Sequence, residues 1–224
     1  QHARWLSPEE KSLLQREVER DQAHGAKGPH SVAAMFRDMR VWWMALIYFA
    51  FVMGQYALTF WLPTLVKATG VKGNLHIGLL SAIPFICAIV AMNLFGRSAD
   101  RRQERRWHLI VPALMGAVGF TVAASYTQNT IVSLAFLSLA AAGVLTCAPL
   151  FWSLPTAFLS GTAAAAGIAA INSVGNLAGF ASPYLIGYLK DLTGSTQIGM
   201  YVLAAALVLG AIGVWLTPKQ LVNR

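Results

Sequence analysis

The sequence contains 224 residues, of which 56% are hydrophobic and only 12% charged, and its mean hydropathy is +0.55. Soluble domains carry about 25% charged residues, so this composition excludes a soluble protein and indicates an integral membrane protein. The formal net charge of +8 falls outside the apolar runs. It therefore argues for anionic lipid headgroups, and against nucleic acid, as the neighbours of the basic residues.

Residues 1–40 have the mixed charge of an aqueous segment, and we interpret them as a cytoplasmic linker with one amphipathic helix. Ser7 as N-cap, Pro8 at the first helical position and Glu10 three residues after the cap form a capping box. This pattern predicts a helix from Pro8 to about Gln22. Its narrow apolar stripe consists of Leu13, Leu14 and Val18. A stripe of this width suits a helix on a membrane surface or against another domain.

Six uncharged apolar runs follow, and each is long enough to cross the ~30 Å hydrocarbon core, which requires about 20 residues of helix. They cover approximately residues 41–66, 75–95, 109–126, 131–158, 163–189 and 198–216. The predicted fold class is therefore an all-α integral membrane protein. Its six transmembrane helices form one domain over residues 41–217, and residues 218–224 form a cytoplasmic tail.

Prolines predict irregular points in two of these spans. Pro84 lacks an N–H and is expected to bend the second span. Pro149 and Pro155 are expected to break the fourth span around residues 151–153. A break at this depth frees backbone carbonyls to line a cavity.

Small residues predict close helix contacts in two other spans. Gly116 and Gly119 in the third span permit a neighbouring helix to approach. The fifth span is built largely of alanine and glycine. Its glycines include Gly175 and Gly179, so one face is expected to pack backbone to backbone along a single helix.

The segment Gly96–Arg106 between the second and third spans contains five arginines. Short loops dense in basic residues stay in the cytoplasm, because moving each charge across the membrane costs several kcal/mol. Counted on alternate sides, 14 Lys and Arg residues share the side of this loop, and three lie on the other. We therefore expect a multi-pass protein of the cell inner membrane with both termini in the cytoplasm.

The same segment resembles the loop signature of the major facilitator superfamily. The matching positions are Gly96, Asp100, Arg101, Arg105 and Arg106. In that family the loop acts as a conformational latch. Glycine at its start lets helix ends approach, and Asp100 is able to pair with a neighbouring arginine at a helix end. The alternative is a plain cytoplasmic loop without a latch role.

Three other segments resemble the anion:cation symporters, a branch of that superfamily. They are Trp5–Lys11, which is similar to the linker between the two halves of those transporters, Phe60–Pro63, and the stretch from Pro155 to Asn172. The resemblance implies that the chain is the carboxy-terminal half of a twelve-helix transporter whose partner is an amino-terminal six-helix half. The absence of an initiator Met agrees with a fragment of a longer chain.

Neutral polar residues inside the spans are the candidate substrate-binding positions. They are Gln55, Thr59, Trp152, Ser153, Asn172 and Asn176. By resemblance, Gln55, Trp152 and Asn172 match positions that line the substrate cavity, and an amide is able to donate to the carboxylate of an organic anion. The alternatives are interhelical hydrogen bonds for Asn172 and Asn176 and apolar packing for Trp152. His108, beside the arginine segment, is interpreted as an interfacial residue.

The resemblance implies proton-coupled symport of a small organic carboxylate, with tartrate as the nearest analogy. The predicted spans contain no Asp, Glu, Lys or Arg, so the coupling acid and the charge that pairs with an anion are expected in the other half. Cys87 and Cys147 lie in apolar runs. No cofactor, metal or enzymatic activity is predicted. A half-size transporter that homodimerises and a non-transporting membrane scaffold remain alternatives.

Overall fold

The computed structural model of the chain describes residues 5, 7–25, 32–159 and 161–218, and it contains no strand in these ranges. The helices are α1 (Pro8–Gly25), α2 (Val32–Arg37), α3 (Met39–Ala68), α4 (Asn74–Arg102), α5 (Arg106–Ser125), α6 (Thr130–Phe151), a 3-10 helix (Pro155–Ala157), α7 (Gly161–Asn176), α8 (Ala178–Thr193) and α9 (Gln197–Leu216). Six stretches, with α7 and α8 counted together, are long and apolar enough to cross a membrane. The predicted fold class is confirmed. Within the tail, residues 219–224 lie outside the described ranges.

The capping box at the start of α1 is present as predicted. The backbone N–H of Ser7 donates to Glu10 Oε2 at 2.8 Å, and the N–H of Glu10 donates to Ser7 Oγ at 3.3 Å. The hydrogen bond from the Ser7 backbone lowers the pKa of the Glu10 carboxyl. Leu13 and Leu14 are exposed, so this helix presents its apolar stripe outward in this chain.

The bundle begins before residue 41. Met35 on α2 is fully buried, and α2 packs against α3 and α7. Asp38 caps α3 by accepting the Arg40 N–H at 2.9 Å. It also pairs with the Arg40 guanidinium, whose hydrogen bond lowers the pKa of the Asp38 carboxyl. Part of the segment interpreted as a linker, residues 32–40, therefore packs at the start of the first span.

Close contact between α5 and α6 forms the tightest part of the core, as the glycines of the third span predicted. A Cβ placed on Gly119 would lie 2.5 Å from the Ala140 backbone nitrogen, and one on Gly143 would meet the backbone of Pro112 and Gly116. These two helices therefore touch backbone to backbone. The other side of α5 packs against α9.

The break predicted in the fourth span is also present. α6 ends at Phe151, residues 152–154 form turns, and the 3-10 helix begins at Pro155. Pro84, in contrast, lies inside an uninterrupted α4.

The fifth span differs from the prediction in two respects. The helix is interrupted at Leu177, whose N–H donates to the Val174 carbonyl, three residues earlier and not four as in an α-helix. The Asn176 side chain competes for a helix carbonyl one turn earlier, which explains an irregularity at this point. Its glycines also contact side chains: Gly175 faces the Tyr48 ring and Gly179 the Tyr56 ring. The expected backbone-to-backbone packing at these two positions is therefore wrong, because aromatic rings fill the space beside them.

Replacing Gly119 with alanine tests the α5–α6 contact. A methyl group has no room against the Ala140 backbone, so Gly119→Ala is expected to lower the free energy of unfolding by about 1–3 kcal/mol. Gly78→Ala is the matched control, since nothing lies within 4 Å of the added methyl group. Thermal unfolding in detergent measures both. Equal midpoints for the two variants would contradict the proposed contact.

Candidate functional site

The predicted substrate-binding residues lie on three elements of the bundle, two of which pack against the third. Gln55 and Thr59 are on α3, Trp152 and Ser153 follow the end of α6, and Asn172 and Asn176 are on α7. α3 packs against both α6 and α7. All six residues are half-buried or exposed, in contrast to the fully buried apolar core. We call this set of residues, together with Tyr48 and Tyr56, the polar seam.

Tyr48 joins the three elements, and the sequence analysis did not identify it. Its ring centroid lies 4.8 Å from that of Phe151 in a stacked arrangement and 4.8 Å from that of Trp152 in an edge arrangement. The same ring lies against Gly175 of α7. The sequence signal that could have identified Tyr48 is a tyrosine within one span together with glycines in another span. Aromatic contacts with Tyr48 and Phe151 thus hold Trp152 within the seam.

Tyr56 and the two asparagines form a chain of hydrogen bonds between α3 and α7. The Tyr56 hydroxyl lies 3.1 Å from Asn176 Oδ1. Asn176 Nδ2 lies 2.9 Å from the Asn172 backbone carbonyl and 2.8 Å from Asn172 Oδ1. Asn176 is therefore bonded within the chain, whereas Asn172 is exposed. Tyr56 is a second residue that the sequence analysis missed.

The two hydroxyl-bearing candidates can offer only acceptors to a ligand. Thr59 Oγ1 donates to the Gln55 carbonyl at 2.9 Å, and Ser153 Oγ donates to the Leu150 carbonyl at 2.7 Å. A hydroxyl carries one proton, so both donors are already engaged. The Gln55 side chain makes no hydrogen bond within the part of the chain that the structure describes. The seam thus combines amide donors with hydroxyl acceptors.

Two clefts on other faces are less suited to a polar ligand. One of about 410 Å³ lies between α3 and α9, and one of about 530 Å³ lies between α5 and α9. Both are lined mainly by apolar side chains such as Leu209 and Leu114, which offer no hydrogen bonds. The polar seam is therefore the better candidate for binding a polar solute.

The arginine segment is mostly helical, which differs from the predicted loop. α4 continues through Gly96 to Arg102, and the connection to α5 is residues 103–105. Basic residues in the last turn are favoured by the helix dipole, which explains the extension. Nothing lies within 4 Å of a Cβ built on Gly96, so the close approach expected there is not made by any residue that the structure describes. Asp100 pairs with Arg105 at 3.3 Å, an exposed contact that contributes little to stability.

His108, which the sequence analysis interpreted as an interfacial residue, connects α4 and α5 through hydrogen bonds. It is 9% exposed, with Nδ1 2.9 Å from Glu104 Oε2 and Nε2 2.9 Å from Ser98 Oγ. Since a carboxylate only accepts, Nδ1 carries the proton and donates to Glu104. Glu104 also accepts the Trp107 backbone N–H and so caps α5.

Arg106 connects the same region to the end of the last helix. It is buried, and its Nη2 donates to the Thr217 carbonyl just beyond α9. A cation is stabilised at this position by the carbonyl end of a helix. The Trp43 indole N–H donates to Thr217 Oγ1 at 3.1 Å, which adds α3 to the junction. Three helices are therefore joined where the arginine segment ends.

Comparison with protein families agrees with this architecture. A family model described as Major Facilitator Superfamily matches residues 3–183. The chain belongs to the major facilitator superfamily. Members of this superfamily are transport proteins, so the prediction that the chain is not an enzyme is confirmed.

Named relatives of this superfamily member extend along the whole chain. It is 40% identical over 224 residues to "Putative metabolite transport protein NicT" of Pseudomonas putida, covering 100% of this chain and 51% of the relative. It is 43% identical over 210 residues to a "Putative tartrate transporter" of Agrobacterium vitis, covering 94% and 48%. It is 36% identical over 219 residues to "Quinolone resistance transporter" of Acinetobacter baumannii, covering 97% and 50%. The chain therefore spans about half the length of these curated relatives.

Cysteine labelling tests the expected orientation of this major facilitator chain. Gln103 and Gln128 are exposed in connections at opposite ends of α5. In a Cys87→Ala, Cys147→Ala background, an impermeant thiol reagent is expected to label Gln128→Cys in intact cells and Gln103→Cys only after lysis. The reason is the charge bias toward the arginine segment. Labelling of Gln103→Cys in intact cells would show that the orientation is reversed.

Proposed function

We propose that the chain is the carboxy-terminal six-helix half of an inner-membrane transporter that moves a small organic carboxylate, such as tartrate, together with protons. The observation that carries this proposal is the polar seam, where Gln55 and Asn172 present amides at mid-span depth in an otherwise apolar bundle. An amide N–H is a suitable donor to a carboxylate oxygen. The name of the relative in Agrobacterium vitis supports tartrate as the first substrate to test.

The source of charge in this proposal lies outside the chain. The predicted spans contain no Asp, Glu, Lys or Arg. A carboxylate inside a membrane protein requires a positive partner, and proton coupling requires a titratable group. We assign both to the amino-terminal half, against which the polar seam would face. Transport would then follow alternating access between the halves, with Gly96, Asp100, Arg101, Arg105 and Arg106 as the latch and membrane lipids around the bundle.

An aromatic carboxylate is the second candidate substrate. Tyr48 and Trp152 place aromatic rings beside the amides, and flat rings offer a stacking surface to an aromatic solute. The relative in Acinetobacter baumannii is named for quinolone resistance. Competition of benzoate with tartrate for the same site would distinguish a seam that accepts rings from one restricted to aliphatic acids.

Removing the amides of Gln55 and Asn172 tests the site. In the complete transporter, Gln55→Ala and Asn172→Ala are each expected to weaken tartrate binding by roughly ten- to a hundred-fold, because each removes a hydrogen bond to a charged group. Gln128→Ala, an amide change outside the spans, is the control. Titration calorimetry and thermal unfolding are measured on the same purified variants. A lower unfolding temperature with unchanged affinity at both positions would mean that these amides join helices and do not bind substrate.

Reconstitution in liposomes tests whether the chain is one half of a transporter. Residues 1–224 alone are expected to show no proton-driven tartrate uptake in liposomes, since their predicted spans hold no Asp, Glu, Lys or Arg to couple a proton. The longer protein that contains them is expected to accumulate tartrate under an inward proton gradient. Robust uptake by residues 1–224 alone would favour the homodimerising half-size transporter. Absence of uptake by the longer protein with any carboxylate would favour a scaffold.

A further inference from the structure

The orientation of the Asn176 amide is determined by a backbone group. A carbonyl oxygen can only accept a hydrogen bond, and the Asn172 carbonyl lies 2.9 Å from one terminal atom of the Asn176 side chain. That atom must therefore be the NH₂ nitrogen. The assignment does not depend on distinguishing nitrogen from oxygen by position alone, which is the usual difficulty with amides.

The direction of the remaining bonds follows from this. With Nδ2 toward Asn172, the oxygen of Asn176 faces Tyr56, so the Tyr56 hydroxyl must donate to it. The second proton on Asn176 Nδ2 points to the Asn172 side chain at 2.8 Å, so the atom that it meets must be the Asn172 oxygen. Asn172 Nδ2 is then the end of the chain, and it donates to no group in the part of the protein described here.

We propose that Tyr56 and Asn176 are positioning residues that hold Asn172 with its NH₂ group outward, so that the seam reads a hydrogen-bond acceptor such as a carboxylate oxygen. This inference rests on the proposed function and names the residues that give it specificity. The bonds run in one direction, from the Tyr56 hydroxyl through Asn176 to Asn172. Asn176 thus acts through Asn172 and does not contact the substrate.

Helix packing fixes the position of Tyr56, the first donor in this chain of hydrogen bonds. A Cβ on Gly179 would lie 3.1 Å from two atoms of the Tyr56 ring, so glycine allows the ring to lie directly on α8. On its own helix, the ring stacks with Phe60 at 6.3 Å between centroids. The Tyr56 hydroxyl is thereby directed at Asn176, the last residue of α7, which lies three residues before Gly179. The position of Tyr56 is a consequence of helix packing and does not depend on a ligand.

A fixed donor discriminates between chemically similar solutes. An Asn side chain free to rotate can present either its oxygen or its nitrogen, and so accepts amides and acids alike. When Asn176 holds it, the Asn172 side chain presents only N–H groups. If a ligand also offers an N–H at this point, neither the ligand N–H nor the Asn172 N–H finds an acceptor. Tartrate and its diamide have nearly the same shape and differ in this property, which makes them suitable probes.

The decisive variant is Asn176→Leu in the complete transporter. Without the Asn176 amide, Asn172 is free to rotate, so tartrate affinity is expected to fall about tenfold while that of the diamide changes less than about threefold. Asn176→Gln retains both amide groups and is expected to stay within about threefold of the unsubstituted protein. Tyr56→Phe leaves the bonds to Asn172 intact, so its effect is expected to be smaller than that of Asn176→Leu. Asn93→Leu on α4 is the matched control, since the Asn93 side chain donates within its own helix.

Tartrate affinity is measured by titration calorimetry, that of the diamide by its competition with tartrate, and folding by the unfolding temperature. Equal losses for both probes, or an unchanged tartrate affinity in Asn176→Leu, overturn the positioning role. If the diamide does not displace tartrate from either the unsubstituted protein or Asn176→Leu, the tartrate affinities of Asn176→Leu and Asn176→Gln are compared. Equal tartrate affinity in these two variants overturns the positioning role. If the unsubstituted protein binds no carboxylate, the proposed function fails, and this inference fails with it.

Discussion

The hydrocarbon interior of a membrane offers no hydrogen-bond partner, and this constraint accounts for most polar contacts in the six spans. The hydroxyls of Ser81, Ser138 and Thr146 each donate to the carbonyl four residues earlier in their own helix. Ser182 donates to the Met53 carbonyl across the contact of α8 with α3. Gln55 and Asn172 differ from this pattern, because their amide N–H groups find no acceptor in the described part of the chain. A group of this kind requires water, ligand or a further protein surface, and this is the physical basis for placing the site at the polar seam.

The way the helices pack explains why the seam forms where it does. On one side of the bundle, Gly119 and Gly143 bring α5 and α6 into backbone contact, which leaves no space for a solute. On the other side, Gly175 faces the Tyr48 ring and Gly179 the Tyr56 ring, so side chains of α3 fill the space beside these glycines. The same residue type therefore contacts backbone at one helix interface and aromatic rings at another, and the polar side chains lie at the second.

The end of the bundle near the arginine segment is braced in a different way. His108 links α5 to α4 through Ser98, and Arg106 links α5 to the end of α9. The Arg106 contact is buried and the His108 contact is part-buried, whereas the Asp100–Arg105 pair is largely exposed. Buried hydrogen bonds hold geometry better than exposed ion pairs do. Any movement of this end of the six-helix unit would therefore carry α4, α5 and α9 together.

The sequence by itself determined the number of spans, their approximate limits, the capping box of α1, the break after Phe151 and the superfamily. All but the superfamily depend on hydrophobicity, proline and local hydrogen bonds, which are properties of neighbours along the chain. The superfamily was indicated by the resemblance of the segment Gly96–Arg106 to its loop signature. Only the tertiary structure decided that Tyr48 and Tyr56 fill the space beside Gly175 and Gly179, and that His108 bonds to Ser98. A sequence shows that a glycine permits approach but not what approaches it, because the contacting group comes from a helix more than a hundred residues away.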